Sequence, residues 1–182
     1  MPSTDFESHP SADASVVCRD EAAVARFAEC LAAVLPSRVM MALEGDLGAG
    51  KTTFVKKLAA AVGIPPAEVT SPTFTLVHLY EVPHHAEARR ALRLVHMDAY
   101  RLSGVDEVSA IGWEELVAEN GWLLVEWPER IASALPAERM RLHIEITGES
   151  SRALHLEATT PTLKAAIDAA AVAFARAMPH AP

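Results

Sequence analysis

The run Gly45-Asp46-Leu47-Gly48-Ala49-Gly50-Lys51-Thr52 constrains this chain more than any other stretch. It fills the spacing G-x-x-x-x-G-K-[ST] without a departure. Such a loop needs glycines, because consecutive backbone N–H groups must turn inward around an anion. Lys51 is then placed to reach the β/γ-phosphates of a nucleotide, and the Thr52 hydroxyl to ligate Mg²⁺. A helix that starts here aims its positive end at the same anion. The flanks agree. Val39 to Leu43 is a short apolar run that reads as a buried strand. Thr53 to Val62 reads as a helix with Phe54, Val55, Leu58 and Ala59 on one face. Strand, loop and helix in that order predict a nucleotide site.

The 182 residues suit one domain, and an apolar content of 51% supports a substantial core. A net charge of −8 weighs against a broad basic surface that tracks nucleic acid unaided, DNA included. Cys18 and Cys30 make no disulfide scaffold and read as small apolar residues in a reducing compartment. No apolar run approaches the ~20 residues needed to span a bilayer. Met1 to Ser15 is polar and acidic and lacks both Lys and Arg, unlike a secretory or transit signal. We expect residues 1–14 to be a disordered lead-in, residues 15–182 to form a single domain, and the protein to be cytoplasmic with no membrane partner.

Ser15 to Cys18 reads as a first strand, and Asp20 as the cap of a helix from Glu21 to about Leu35, with Val24, Phe27, Ala28 and Leu31 inward. After the loop unit come a strand over Phe74 to Val82 and a polar loop containing His84 and His85. A strand over Leu92 to Asp98 and partial helix over Val105 to Asn120 follow. Trp122 to Glu126 reads as a buried strand stopped by Pro128. Met140 to Thr147 and Ala153 to Ala158 alternate, and form a hairpin around Gly148. Thr160 or Thr162 caps a last Ala-rich helix to about Met178. The order predicts an α/β fold of three layers, a mixed sheet flanked by helices as in phosphate-loop NTPases, with an antiparallel C-terminal portion.

A phosphate loop binds; hydrolysis needs more. Mg²⁺ takes oxygen ligands, and a carboxylate usually assists the loop hydroxyl. Two strands here end in carboxylates, Asp98 and Glu126, and ligands sit at the carboxyl ends of strands in open α/β sheets. Thr70-Ser71-Pro72-Thr73 is a stiff hydroxyl-rich corner, suited either to sensing a γ-phosphate or to an ordinary turn. Trp127 suits stacking near a nucleotide or a partner as well as it suits the core. His96, on an apolar strand, reads as a satisfied structural residue. No Cys, His and carboxylate cluster has the spacing of a zinc site.

Taken together, the loop Gly45 to Thr53, the segment Ser71 to Val77, the pattern His96-Met97-Asp98-Ala99-Tyr100-Arg101-Leu102 and the turn Val125-Glu126-Trp127-Pro128 closely resemble the bacterial TsaE family. The resemblance runs from about Val16 to Ala158 in order and spacing. It implies a Mg²⁺-dependent ATPase required for threonylcarbamoyladenosine in tRNA, at the adenosine next to the anticodon. It further implies work in a complex with TsaD and TsaB, which meet the tRNA. By position, Thr52 and Glu126 would be the Mg²⁺ ligands, and Lys51, Asp98 and Glu126 the catalytic residues. Asp46, Leu47, Gly48, Ala49, Gly50, Lys51, Thr52 and Thr53 would wrap ATP. Thr73 lies in the switch-like segment, while Asp20, Glu21 and Arg152 are implied as further nucleotide contacts.

Two other classes share the loop. A small-molecule or nucleoside kinase would need an acceptor pocket and an arginine-bearing lid, for which Arg89, Arg90 and Arg93 are the one cluster. A nucleotide-gated binding switch would need no hydrolysis.

Overall fold

The structure is a computed structural model that describes residues 12–83, 93–118 and 121–178. The expected lead-in up to residue 11, the His84–His85 loop with Arg89 and Arg90, and the helix end at Asn120 lie outside the described residues.

Among the described residues, seven strands form one mixed sheet: β1 (Ala14–Cys18), β2 (Val39–Glu44), β3 (Val77–Glu81), β4 (Arg93–Asp98), β5 (Trp122–Glu126), β6 (Met140–Ile146) and β7 (Arg152–Ala158). Their spatial order is β1-β7-β6-β2-β5-β4-β3. The inner run β6-β2-β5-β4 is parallel, while β1, β7 and β3 pair antiparallel at the two sides. The helices are α1 (Glu21–Ala32), α2 (Lys51–Ala61), α3 (Val105–Ser109), α4 (Trp113–Ala118) and α5 (Pro161–Ala177), with a 3₁₀ helix at Pro128–Ala134.

Side chains alternate across a strand, so a strand apolar at every position demands cover on both faces. β2 is such a strand from Val39 to Leu43. Val39, Met41 and Leu43 join one cluster with Phe27 and Leu31 of α1, Phe54 and Leu58 of α2, and Ile167 and Phe174 of α5. Met40 and Ala42 join the other, with Val108, Trp113 and Ile131. The three-layer expectation holds over these inner strands. Phe27 and Phe174 meet edge to face, with ring centroids 5.6 Å apart. Over β6 and β7 one face is polar: Arg141 reaches Glu44 with two nitrogens, at 3.0 and 2.9 Å, and Glu157 with a third at 3.0 Å.

The predicted caps are in place. Asp20 Oδ1 accepts from Ala23 N at 2.8 Å, and Thr160 Oγ1, rather than Thr162, accepts from Leu163 N. Ahead of β1, Asp13 accepts from Ala158 N at 2.8 Å and pairs with Lys164 at 3.0 Å. One strand is shorter than its composition suggests. β3 begins at Val77, because Leu76 takes a left-handed φ of 67° and turns the chain back, its N–H donating to Pro72 O at 2.6 Å. Phe74, expected inside that strand, is 82% exposed.

Candidate functional site

The buried polar or charged side chains among the described residues are Lys51, His96, Asp98 and Glu126, and all lie at one place. Burial of such groups is costly unless they are paired, so their gathering marks a site. They converge where β2, β4 and β5 end and α2 begins.

Backbone geometry builds the loop. Gly45, Gly48 and Gly50 have φ of 132°, 81° and 107°, a region that side chains rarely enter. At Gly45 a Cβ would also run into the carbonyl oxygen of Ile144 on β6. Ala49 N donates to Asp46 O at 3.0 Å and closes the turn. Arg152, on β7, donates its Nε to Ala49 O at 2.8 Å, so the antiparallel strands brace the loop from outside. Lys51 Nζ donates to Gly45 O and Asp46 O at 2.6 and 3.0 Å and lies 3.8 Å from the centroid of the Trp127 ring. Burial lowers the Lys51 pKa from its ordinary value, against the opposing pull of Glu126, Glu129, Asp98 and Asp46.

The carboxylates face one another across the strands. Asp98 and Glu126 are register partners of parallel β4 and β5, and Glu126 also pairs with Leu43 beside the loop. Glu126 Oε1 accepts from Thr52 Oγ1 at 2.7 Å and from His96 Nε2 at 2.8 Å. Asp98 Oδ2 accepts from Thr73 Oγ1 at 2.6 Å, and Oδ1 from Tyr100 N at 2.9 Å. Thr73 belongs to the Ser71–Leu76 turn, which is tied back when Asp98 N donates to Leu76 O at 3.0 Å. The threonine corner thus delivers a hydroxyl to the second carboxylate.

Two clefts meet at the loop. One, of about 420 Å³, is lined by Leu47, Gly48, Gly50, Lys51, Thr52, Thr53, Ser71, Thr73, Asp98, Tyr100, Glu126 and Trp127. The other, of about 320 Å³, lies between the loop, Glu21, Ser150 and Arg152. Both touch Gly48, Gly50 and Thr53, so they are two arms of one groove. Glu21 lines the second arm and pairs with Lys57 at 2.6 Å. Asp20 lines neither arm, because its carboxylate is spent on the helix cap. A larger cavity, of about 560 Å³, opens at the opposite ends of the strands beside Arg38 and Trp122 and contains none of these residues. Arg93 lies there too, at the start of β4, pairing with Glu81 at 2.9 Å.

His96 is the residue that sequence reasoning set aside. Its partner is Glu126, whose Oε1 lies 2.8 Å from His96 Nε2, so it joins the buried cluster at the loop. The signal was present: His96 stands two residues before Asp98 on one strand, so both share a face. Trp127, left open between core and site, belongs to the site. Its left-handed φ of 57° turns the chain where β5 meets Pro128 and sets the indole against Lys51 and, at 5.1 Å, Tyr100.

The donor set fits a nucleotide and a hard divalent cation. Two glycines of left-handed φ, Gly48 and Gly50, and the start of an 11-residue helix line the groove, and the Thr52 hydroxyl and two carboxylates supply oxygen at its wall. The fold and site together define a phosphate-loop nucleotide-binding protein. The family model described as "Threonylcarbamoyl adenosine biosynthesis protein TsaE" matches residues 18–154. The chain belongs to the TsaE family. It is 38% identical over 136 residues to a Treponema pallidum protein named tRNA threonylcarbamoyladenosine biosynthesis protein TsaE, covering 75% of this chain and 94% of that one. A protein of the same name from Aquifex aeolicus is 38% identical over 142 residues, covering 78% and 93%. The crystal structure of Bacillus subtilis YdiB superimposes with a TM-score of 0.70 at 29% identity, covering 90% of this chain and 97% of that one.

Proposed function

We propose that this protein is a Mg²⁺-dependent ATPase that serves threonylcarbamoyladenosine synthesis in tRNA, working with TsaD and TsaB in the cytoplasm. The observation that carries the reading is the contact of the loop hydroxyl of Thr52 with Glu126, with Asp98 at the matching register position beside it. A site that only held phosphate would not need two buried carboxylates next to the anion.

Phosphoryl transfer to water depends mainly on positioning and charge stabilisation. Lys51 and the N–H groups of the loop hold the terminal phosphates. Thr52 and Glu126 would hold Mg²⁺, which would supply charge neutralisation for the phosphate oxygens. Asp98 orients the attacking water and accepts its proton. Thr73, bonded to Asp98 Oδ2, sets the direction of that carboxylate. Arg152 and Glu21 border the nucleotide's other arm of the groove.

The test is ATP hydrolysis measured alone and with TsaD and TsaB, alongside tRNA modification. Slow turnover alone and a clear rise with the partners is the expected result. Equal rates in both conditions would remove the partner role. Phosphate transfer to a metabolite rather than to water would favour a kinase.

A further inference from the structure

We propose that His96 is a positioning residue for the cation-binding carboxylate: it donates Nε2–H to Glu126 Oε1 and so sets the orientation in which Glu126 meets the divalent ion. This rests on the reading of Thr52 and Glu126 as the Mg²⁺ ligands.

His96 is fully buried, with its Nε2 2.8 Å from Glu126 Oε1. Because the partner is a carboxylate, Nε2 must be the donor. The other donor to Oε1 is the Thr52 hydroxyl at 2.7 Å. These two bonds are not equivalent. Thr52 is itself a ligand, so its hydroxyl must serve the cation as well as Glu126. The histidine has no such second duty. It anchors the carboxylate whether or not the ion is bound.

The ring is an expensive way to fill the space. Its Nδ1 is buried and has no hydrogen-bond partner among the described residues. A buried nitrogen without a partner destabilises the fold. An apolar side chain of similar size would avoid that penalty, so packing alone does not account for a histidine here. What the imidazole adds is one donor aimed at Glu126. Register explains the aim: His96 pairs with Leu124 on β5, two positions before Glu126, and the diagonal neighbour in a sheet is within reach of a long side chain. Groups that orient ligating side chains in this way typically matter about 10- to 100-fold in metal affinity.

The experiment uses Mn²⁺ as a spectroscopic probe, with the full chain and a non-hydrolysable ATP analogue, and reads free Mn²⁺ by electron paramagnetic resonance. His96→Leu should weaken Mn²⁺ binding at least about tenfold, while affinity for the analogue without metal stays unchanged. His96→Gln, whose amide nitrogen reaches the place of Nε2, should restore most of the affinity; His96→Asn, which reaches only the place of Nδ1, should not. On a Glu126→Gln background, His96→Leu should add little further loss. Wild-type Mn²⁺ affinity in a folded His96→Leu protein would overturn the proposal, as would equal affinities for the Gln and Asn variants should the Leu variant fail to fold. If Glu126→Gln itself leaves Mn²⁺ binding unchanged, the ligand reading falls and takes the proposal with it.

Discussion

Asp98 and Glu126 occupy the same register position on adjacent parallel strands, and each accepts a threonine hydroxyl from a different loop. Thr52 comes from the phosphate loop and Thr73 from the turn before β3. The two carboxylates are therefore wired to separate segments, which allows their roles to be tested apart.

Glu126→Gln keeps the shape of the side chain and removes its charge. Turnover should drop at least about tenfold, with a raised Mg²⁺ requirement. Asp98→Asn should reduce kcat while leaving Mg²⁺ dependence and folding close to wild type. Steady-state ATPase rates across a Mg²⁺ titration, with thermal melts, check both. The same Mg²⁺ shift in both variants would merge the two roles.

Lys51→Ala should weaken ATP binding about 10- to 100-fold, the loss expected for charge-assisted hydrogen bonds to phosphate. Isothermal titration measures this.

Trp127 should report nucleotide binding. Lys51 Nζ lies 3.8 Å from its ring centroid, and phosphate competes for that ammonium. Trp113 and Trp122 sit in the two apolar clusters. Emission should change when ATP is added, and Trp127→Phe should abolish the change. A response that survives in the variant would move the signal elsewhere.

Gly45→Ala should lower Tm by roughly 2–12 °C, from about 1–3 kcal/mol of backbone strain and a clash with Ile144 O. Gly104→Ala, with nothing within 4 Å of the added carbon, should shift it by less than about 2 °C. Melting curves of the two variants make the comparison.

Burial, with the nearby Asp20 charge, pushes the Cys18 thiol up from 9.0 to about 11. The unfolded chain loses this proton first, so the contribution of Cys18 to stability is complete below pH 9.0 and is lost as pH rises towards about 11. Denaturant unfolding from pH 8 to 11 should fall off less steeply in Cys18→Ala than in wild type. Parallel curves would contradict the assignment.

Much of this was legible in the chain. The apolar faces of α1 and α2, the strand Trp122–Glu126 and the capping role of Asp20 follow from local rules that act over a few residues. The start of β3 did not follow, since Phe74 and Leu76 have strand-like side chains, but their backbone is turned by contacts with Pro72 and Asp98. The 3₁₀ helix after Trp127 has no apolar period to announce it. His96 was visible as a histidine on an apolar strand, yet the identity of its partner was not.

Sequence alone was enough for the phosphate loop, because its glycines and lysine are adjacent and the backbone they permit is local. It was also enough to name Asp98 and Glu126 as residues that end strands. Their pairing was decided by the sheet. Residues 28 positions apart in the chain become neighbours only when β4 and β5 align in one register, and that register is set by burying Val95, Met97, Leu123 and Val125 on a shared face. The same alignment brings His96 onto Glu126, an interaction that no local rule encodes.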